Sequence, residues 1–168
     1  MQCTKTGKLG IKMISIPNEK DGLQIHAITA NTTVFNREEV ECVDELWDEY
    51  QAVGPEKSGY HFLVEKEGDI VLGYSCFGPR ALTDRTYDLY WIAVNPDARR
   101  GGVGRKLLNA TEGAVSKLGG RLLIVETSGL PKYEATRAFY LATAYLLEAT
   151  LKDFYSEGDD LVIFTKHL

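Results

Sequence analysis

The residues best placed to do chemistry stand together as Arg99-Arg100-Gly101-Gly102-Val103-Gly104, followed at once by Arg105 and Lys106. Glycine carries no Cβ, so an anion can approach the backbone amides, and the flanking cations add Coulomb attraction. The chemistry served is the holding of phosphate. Two better-known phosphate loops do not fit. A nucleoside-triphosphate loop needs Gly-Lys followed by Ser or Thr, whereas Gly104 is followed by Arg105, Lys106 and Leu107; a dinucleotide turn needs a third glycine where Leu107 stands. Elsewhere in the chain, Asp88, Glu126 and Tyr140 are acids or phenols that could move protons.

The elements that must hold this cradle are legible on both sides. Upstream, Tyr87 to Asn95 is a β-branched and aromatic run that stops at Pro96, a residue unable to donate to a sheet ladder. Downstream, Leu107, Leu108, Val115 and Leu118 recur at helical spacing. Strand, turn and helix follow in that order. The first turn of a helix leaves about four N–H groups without intrahelical partners, and the macrodipole adds roughly half a positive charge. On the strand, alternation predicts Asp88, Tyr90, Ile92 and Val94 on one face.

The pattern R-x-x-G-x-G directly after a strand ending Ile92-Ala93-Val94-Asn95-Pro96 resembles the GNAT superfamily of acyl-CoA-dependent N-acyltransferases. A second motif agrees: Tyr133 to Tyr145 resembles the helix that carries an aromatic-Tyr pair, here Phe139-Tyr140, with Ala144 where the family usually has glycine. Together the likeness covers about residues 60–167.

The resemblance implies acetyl-CoA as cosubstrate, with its pyrophosphate on Arg99, Arg100, Gly101, Gly102, Val103, Gly104 and Arg105, its pantetheine and thioester along Ile92, Ala93 and Val94, and its sulfur at Tyr140. Tyr140 is then the general acid for the leaving thiolate, and the N–H of Val94 meets the oxyanion. Tyr90, Trp91 and Tyr133 would line the acceptor site. A primary amine with pKa about 10.4 is neutral in about one part per thousand at pH 7.4, which costs about 4 kcal/mol without an assisting base. Glu126 and Asp88 are the carboxylates placed to assist, with a water chain as the alternative. The implied route is direct transfer in a ternary complex; Cys76 has no activating neighbour in sequence.

The rest of the chain fits that expectation. A length of 168 residues suits one domain, a flexible lead-in over residues 1–9 and a single N-acetyltransferase domain over 10–168. Net charge −5 and pI 5.3 argue against a nucleic-acid surface. No apolar run is long enough for a membrane span or a signal peptide. Cys3, Cys42 and Cys76 are odd in number with no metal-ligand spacing, so no metal and a cytoplasmic location are expected. In chain order the pattern predicts strands near Ile11–Ile16 and Leu23–Ile28, a helix from an Asn36 cap to Tyr50, and a hairpin over Tyr60–Glu65 and Ile70–Phe77. The 87–94 strand, cradle helix, Arg121–Thr127 strand, second-motif helix and strands Leu146–Tyr155 and Leu161–Lys166 complete the set. The fold class expected is α/β, a mixed and mostly antiparallel sheet flanked by helices, GNAT-like. The acceptor is expected to be the primary amine of a small molecule or amino acid; a protein N-terminus or lysine, or a non-catalytic acyl-CoA-binding domain, are the alternatives. Because many relatives dimerise, the resemblance also implies a homodimer.

Overall fold

The computed structural model describes residues 11–98 and 101–168; the expected lead-in and the cradle residues Arg99 and Arg100 lie outside the described residues. The chain opens with strand β1 (Lys12–Ser15) and helix α1 (Asp21–Asn31). A strand was expected over Leu23–Ile28, because apolar Leu23, Ile25 and Ala27 alternate with polar Gln24 and His26. The buried positions follow the helical period instead: Asp21, Ile25, Ile28 and Thr29 face inward while Leu23 is exposed. Asp21 is tied down by Lys66 Nζ at 2.7 Å, and Thr29 donates to the Ile25 carbonyl at 2.7 Å.

Helix α2 (Arg37–Val53) starts where the sequence places it. The Asn36 side chain accepts from the Glu39 N–H at 2.9 Å and Glu39 Oε2 accepts from the Asn36 N–H at 2.7 Å, a reciprocal cap. A short helix α3 (Pro55–Ser58) leads into the hairpin β2 (His61–Glu67) and β3 (Ile70–Pro79). Next come β4 (Thr86–Val94), a 3-10 turn, helix α4 (Val103–Lys117), β5 (Leu122–Ser128), helix α5 (Glu134–Ala142), β6 (Leu146–Ser156) and β7 (Asp159–His167).

The seven strands form one sheet in the order β1-β2-β3-β4-β5-β7-β6, antiparallel everywhere except β4 against β5. Helices cover both faces. On one face α1 and α2 bring Ile25, Ile28, Val43 and Tyr50 onto Phe62, Val64, Tyr74 and Cys76. On the other, α4 and α5 bring Leu108, Val115 and Tyr140 onto Phe77, Leu89, Leu123 and Phe164. Gly73 on β3 sets the depth of α4: a Cβ there would lie 2.8 Å from the Ala93 carbonyl and 2.9 Å from Val103.

Helix α5 ends at Ala142, and Ala144, just past the Thr143 cap, adopts φ +65°. The Tyr145 N–H reaches back to the Tyr140 carbonyl at 3.1 Å and the Ala144 N–H to Leu141 at 3.3 Å. That is the double bond of a Schellman ending, a position that favours glycine. At Ala144, where the sequence pattern expects glycine, a residue with a Cβ holds the left-handed turn.

Candidate active site

Two irregularities in the sheet create the site. The first is where β4 and β5 part: they pair from Thr86–Leu122 to Leu89–Val125, yet β4 runs on to Val94 and β5 to Ser128. The second is a bulge in β4. Cys76 opposes Trp91 and Phe77 opposes Leu89, so Tyr90 is the extra residue. The bulge overturns the simple alternation expected for this strand. Tyr90, Trp91 and Ala93 turn toward the α1 and α2 face, whereas Ile92 and Val94 turn toward α4.

Beyond the bulge the hydrogen-bond pattern can be followed residue by residue. The Asn95 N–H donates to the Leu72 carbonyl at 2.8 Å, so Asn95 and Leu72 form a hydrogen-bonded pair. In an antiparallel ladder such pairs alternate, which makes Ala93–Tyr74 the next one. The N–H and C=O groups of Ile92 and Val94 therefore point away from β3, into the gap that β5 has left. A bare edge able to bond an amide-bearing chain results.

This gap belongs to a cleft of about 1070 Å³, lined by β4, the ends of β5 and β7, the start of α2 and the first turns of α5. Tyr140 lines it from below. Only 3% of this residue is exposed, burial raises its pKa above the ordinary tyrosine value, and its hydroxyl takes no hydrogen bond from the described residues. Its ring is fixed among Phe139, Tyr145 and Phe164 at 5.4, 5.5 and 5.6 Å between centroids. A hydroxyl so placed has no competing acceptor among the described residues and is free to hydrogen-bond a group bound in the cleft.

Asp88 and Glu126, expected from separate strands, are brought together by Arg80. A single guanidinium nitrogen, Nη1, donates to Asp88 Oδ1 at 2.8 Å and to Glu126 Oε1 at 3.1 Å. Burial raises the Asp88 pKa, with Arg80 pulling it back and Glu126 adding to the rise. For Arg80 burial works against the charge, but Asp88 and Glu126 outweigh it and lift its pKa. Sequence reasoning missed Arg80. It follows Pro79 with no motif spacing, and only the register Gly78–Asp88 across the hairpin signals that position 80 lies near position 88.

The expected acceptor residues line one wall. Tyr90 is half-buried against Tyr60, with its pKa raised to about 12 by burial and then by Asp88. Trp91 meets Phe35 edge to face at 5.1 Å. The Tyr133 hydroxyl donates to Glu39 Oε1 at 2.8 Å, which fixes the start of α2 to the segment before α5. Cys76 is not part of this wall: it is buried in the α1 and α2 layer, while His61 stacks on Phe77 of the opposite layer.

At the far end of the gap the described part of the expected cradle falls on the start of α4. Gly102 is its N-cap with φ +73°, no side chain caps the first turn, and the turn holds no acidic residue. The first intrahelical donor is the Lys106 N–H, bonded to the Gly102 carbonyl at 3.0 Å, so the amides of Val103, Gly104 and Arg105 are left to other acceptors. Gly104 faces Val94 and Phe139: a Cβ there would stand 3.5 and 3.7 Å from them. Arg105 reaches the Ala142 carbonyl of α5 at 3.5 Å. Among the described residues no cluster of three or more metal-ligating side chains occurs, and no helix is long and apolar enough to cross a membrane.

Comparison with known proteins agrees with this geometry. The GNAT acetyltransferase domain model matches residues 57–143. A crystal structure from Desulfovibrio desulfuricans, described as an acetyltransferase of the GNAT family, is 40% identical and superposes with a TM-score of 0.90, covering 94% of this chain and 99% of that one. The ribosomal-protein-S18-alanine N-acetyltransferase of Escherichia coli shares the fold at 17% identity and TM-score 0.73, with 94% of each chain covered. A Salmonella typhimurium protein solved with its cofactor acetyl-CoA does so at 19% identity and TM-score 0.71, again over 94% of each chain. No functionally curated sequence matches. A family match across more than half of the chain, and a relative this similar along nearly its whole length, establish that the chain belongs to the GNAT family of acetyltransferases.

Proposed function

We propose that the chain transfers an acetyl group from acetyl-CoA to the primary amine of a small molecule or amino acid, by direct attack within the cleft. The observation that carries this reading is Tyr140: a buried residue whose hydroxyl has no partner among the described residues, lining the same cleft as the bare edge of β4 and the Asp88–Arg80–Glu126 group. Acetyl-CoA supplies the acetyl thioester. The first turn of α4 suits its pyrophosphate, and Ile92 and Val94 suit the amides of its pantetheine arm, because both present unpaired backbone donors.

The amine must lose a proton as its N–C bond forms and the C–S bond breaks. Glu126 or Asp88 accepts that proton, directly or through water, while Tyr140 protonates the departing sulfur and is reprotonated from solvent. Tyr90, Trp91 and Tyr133 orient the acceptor. Cys42 and Cys76 are free thiols, which supports a reducing, cytoplasmic setting. Strand β6 is an edge strand that exposes Leu146, Leu147, Leu151 and Phe154, which supports a homodimer through that edge.

The test is thiol release from acetyl-CoA against a panel of amines, amino acids and peptides, with product mass confirming N-acetylation. Release that depends on a primary amine supports the enzyme. Tight acetyl-CoA binding without release to any acceptor contradicts it and favours a binding domain.

A further inference from the structure

Charge is unevenly spread along the cleft. Its described lining holds five carboxylates, Glu38, Glu39, Asp88, Glu126 and Asp159, against two cations, Arg80 and Lys132, a net charge of −3. Four of them make two stations, Asp88 with Glu126 at an inner one and Glu39 with Asp159 at an outer one.

At the inner station Arg80 neutralises one of the pair Asp88 and Glu126, leaving one negative charge. At the outer station Glu39 accepts from Tyr133 Oη and Asp159 from Ser128 Oγ, at 2.8 and 2.5 Å. Tyr155 also lines the cleft, and after burial Glu126, Asp159 and Glu39 all raise its pKa. Lys132 is engaged with the Val34 carbonyl at 2.8 Å and sits over the Tyr133 ring at 5.1 Å. The rings of Tyr133 and Tyr155 offer further faces to a cation.

We propose that the acceptor is a linear diamine or polyamine, one amine reacting at the inner station while a second stays an ammonium at the outer one. This rests on the acetyltransferase reading and narrows it. A lining of net charge −3 attracts a substrate that carries a second positive charge, and Asp88 or Glu126 can take the proton of the amine that reacts. A zwitterionic amino acid would bring a carboxylate against a wall that is already negative.

A matched acceptor series decides it. Diaminobutane, butylamine, which lacks the second ammonium, ornithine, which is diaminobutane with a carboxylate added, and a short peptide with a free N-terminus are compared by kcat/KM for thiol release from acetyl-CoA. Diaminobutane should exceed each of the others by about tenfold or more, a factor set by one added ion pair or cation–ring contact. Asp159→Asn and Glu39→Gln should each raise the KM for diaminobutane and reduce its advantage over butylamine; Asp159→Asn leaves the α2 cap intact, so a folding defect in Glu39→Gln would not hide the result. Direct titration calorimetry of diaminobutane into wild type and Asp159→Asn should show the same weakening. Butylamine, ornithine or the peptide turning over as well as diaminobutane overturns the proposal while the acetyltransferase reading stands. No release with any acceptor overturns both.

Discussion

Arg80 Nη1 lies 3.1 Å from Glu126 Oε1 and so joins the end of β3 to the first residue of β5 beyond its pairing with β4. The same nitrogen holds Asp88. Two carboxylates that would repel each other are thereby kept side by side at the point where the sheet opens.

Asp88 titrates above its ordinary value of 3.8, chiefly through burial, and Arg80 opposes the rise. A proton acceptor must be ionised, so activity that depends on Asp88 falls as the pH drops through this raised pKa. Replacing the guanidinium with an uncharged chain removes the lowering influence. In Arg80→Met the acid limb of kcat/KM against pH should therefore move to higher pH, with Arg80→Lys between it and wild type. A limb that stays in place or moves down would show that Arg80 does not act on Asp88.

Ala144 carries a left-handed backbone at the end of α5, φ +65°. For a residue with a Cβ this costs about 1 kcal/mol, partly offset by the greater unfolded-state freedom of glycine. Ala144→Gly should stabilise the fold by about 0.5 kcal/mol, or roughly 1–2 °C in Tm, with acetyl-CoA kinetics unchanged. A lower Tm would mean that the Cβ makes a contact worth more than the strain.

How much of this was legible in the sequence depends on the range of the signal. The strand and helix on either side of the glycine turn were readable because the apolar period changes within a few residues around Pro96. The Asn36 cap was readable because Glu39 stands three positions on. Helix α1 was misread, since Leu23 to Ile28 satisfies both periods over so short a span and only tertiary burial of Ile25, Ile28 and Thr29 separates them. The Tyr90 bulge leaves no local trace, and it reverses the faces of Ile92 and Val94 relative to Asp88. Arg80 was invisible for a related reason: its partners sit on two other strands.

Glycines at the α4 contact separate folding from binding. At Gly73 a Cβ would crowd the Ala93 carbonyl, Val103 and Leu107 at 2.8 to 3.0 Å, so Gly73→Ala should cost about 1–3 kcal/mol by overpacking. At Gly104 a Cβ meets only ordinary contacts at 3.5 Å and beyond. Gly104→Ala should keep or slightly raise the Tm while increasing the KM for acetyl-CoA about tenfold, or about 1.4 kcal/mol. Thermal melts beside steady-state kinetics check both; a Gly104→Ala protein with an unchanged KM would remove this glycine from the cradle.

Glu65 is 1% exposed, and its Oε2 is the one buried side-chain polar atom among the described residues with no partner. Lys106 on α4 satisfies its other oxygen at 3.2 Å. Removing one member of such a pair leaves a buried charge alone, and half-exposure of the lysine moderates the effect. Lys106→Met should destabilise by about 2 kcal/mol in urea unfolding, and adding Glu65→Met should restore much of that loss.

The most direct measurement is single-turnover acetyl transfer by Tyr140→Phe beside wild type, with melting temperature and acetyl-CoA affinity recorded on the same samples. The lost hydroxyl has no partner among the described residues, and the ring that packs on Phe139, Tyr145 and Phe164 is retained. Proton donation by Tyr140 predicts unchanged stability, unchanged affinity and a transfer rate lower by at least about tenfold. A Tyr140→Phe protein that transfers acetyl at the wild-type rate would contradict it.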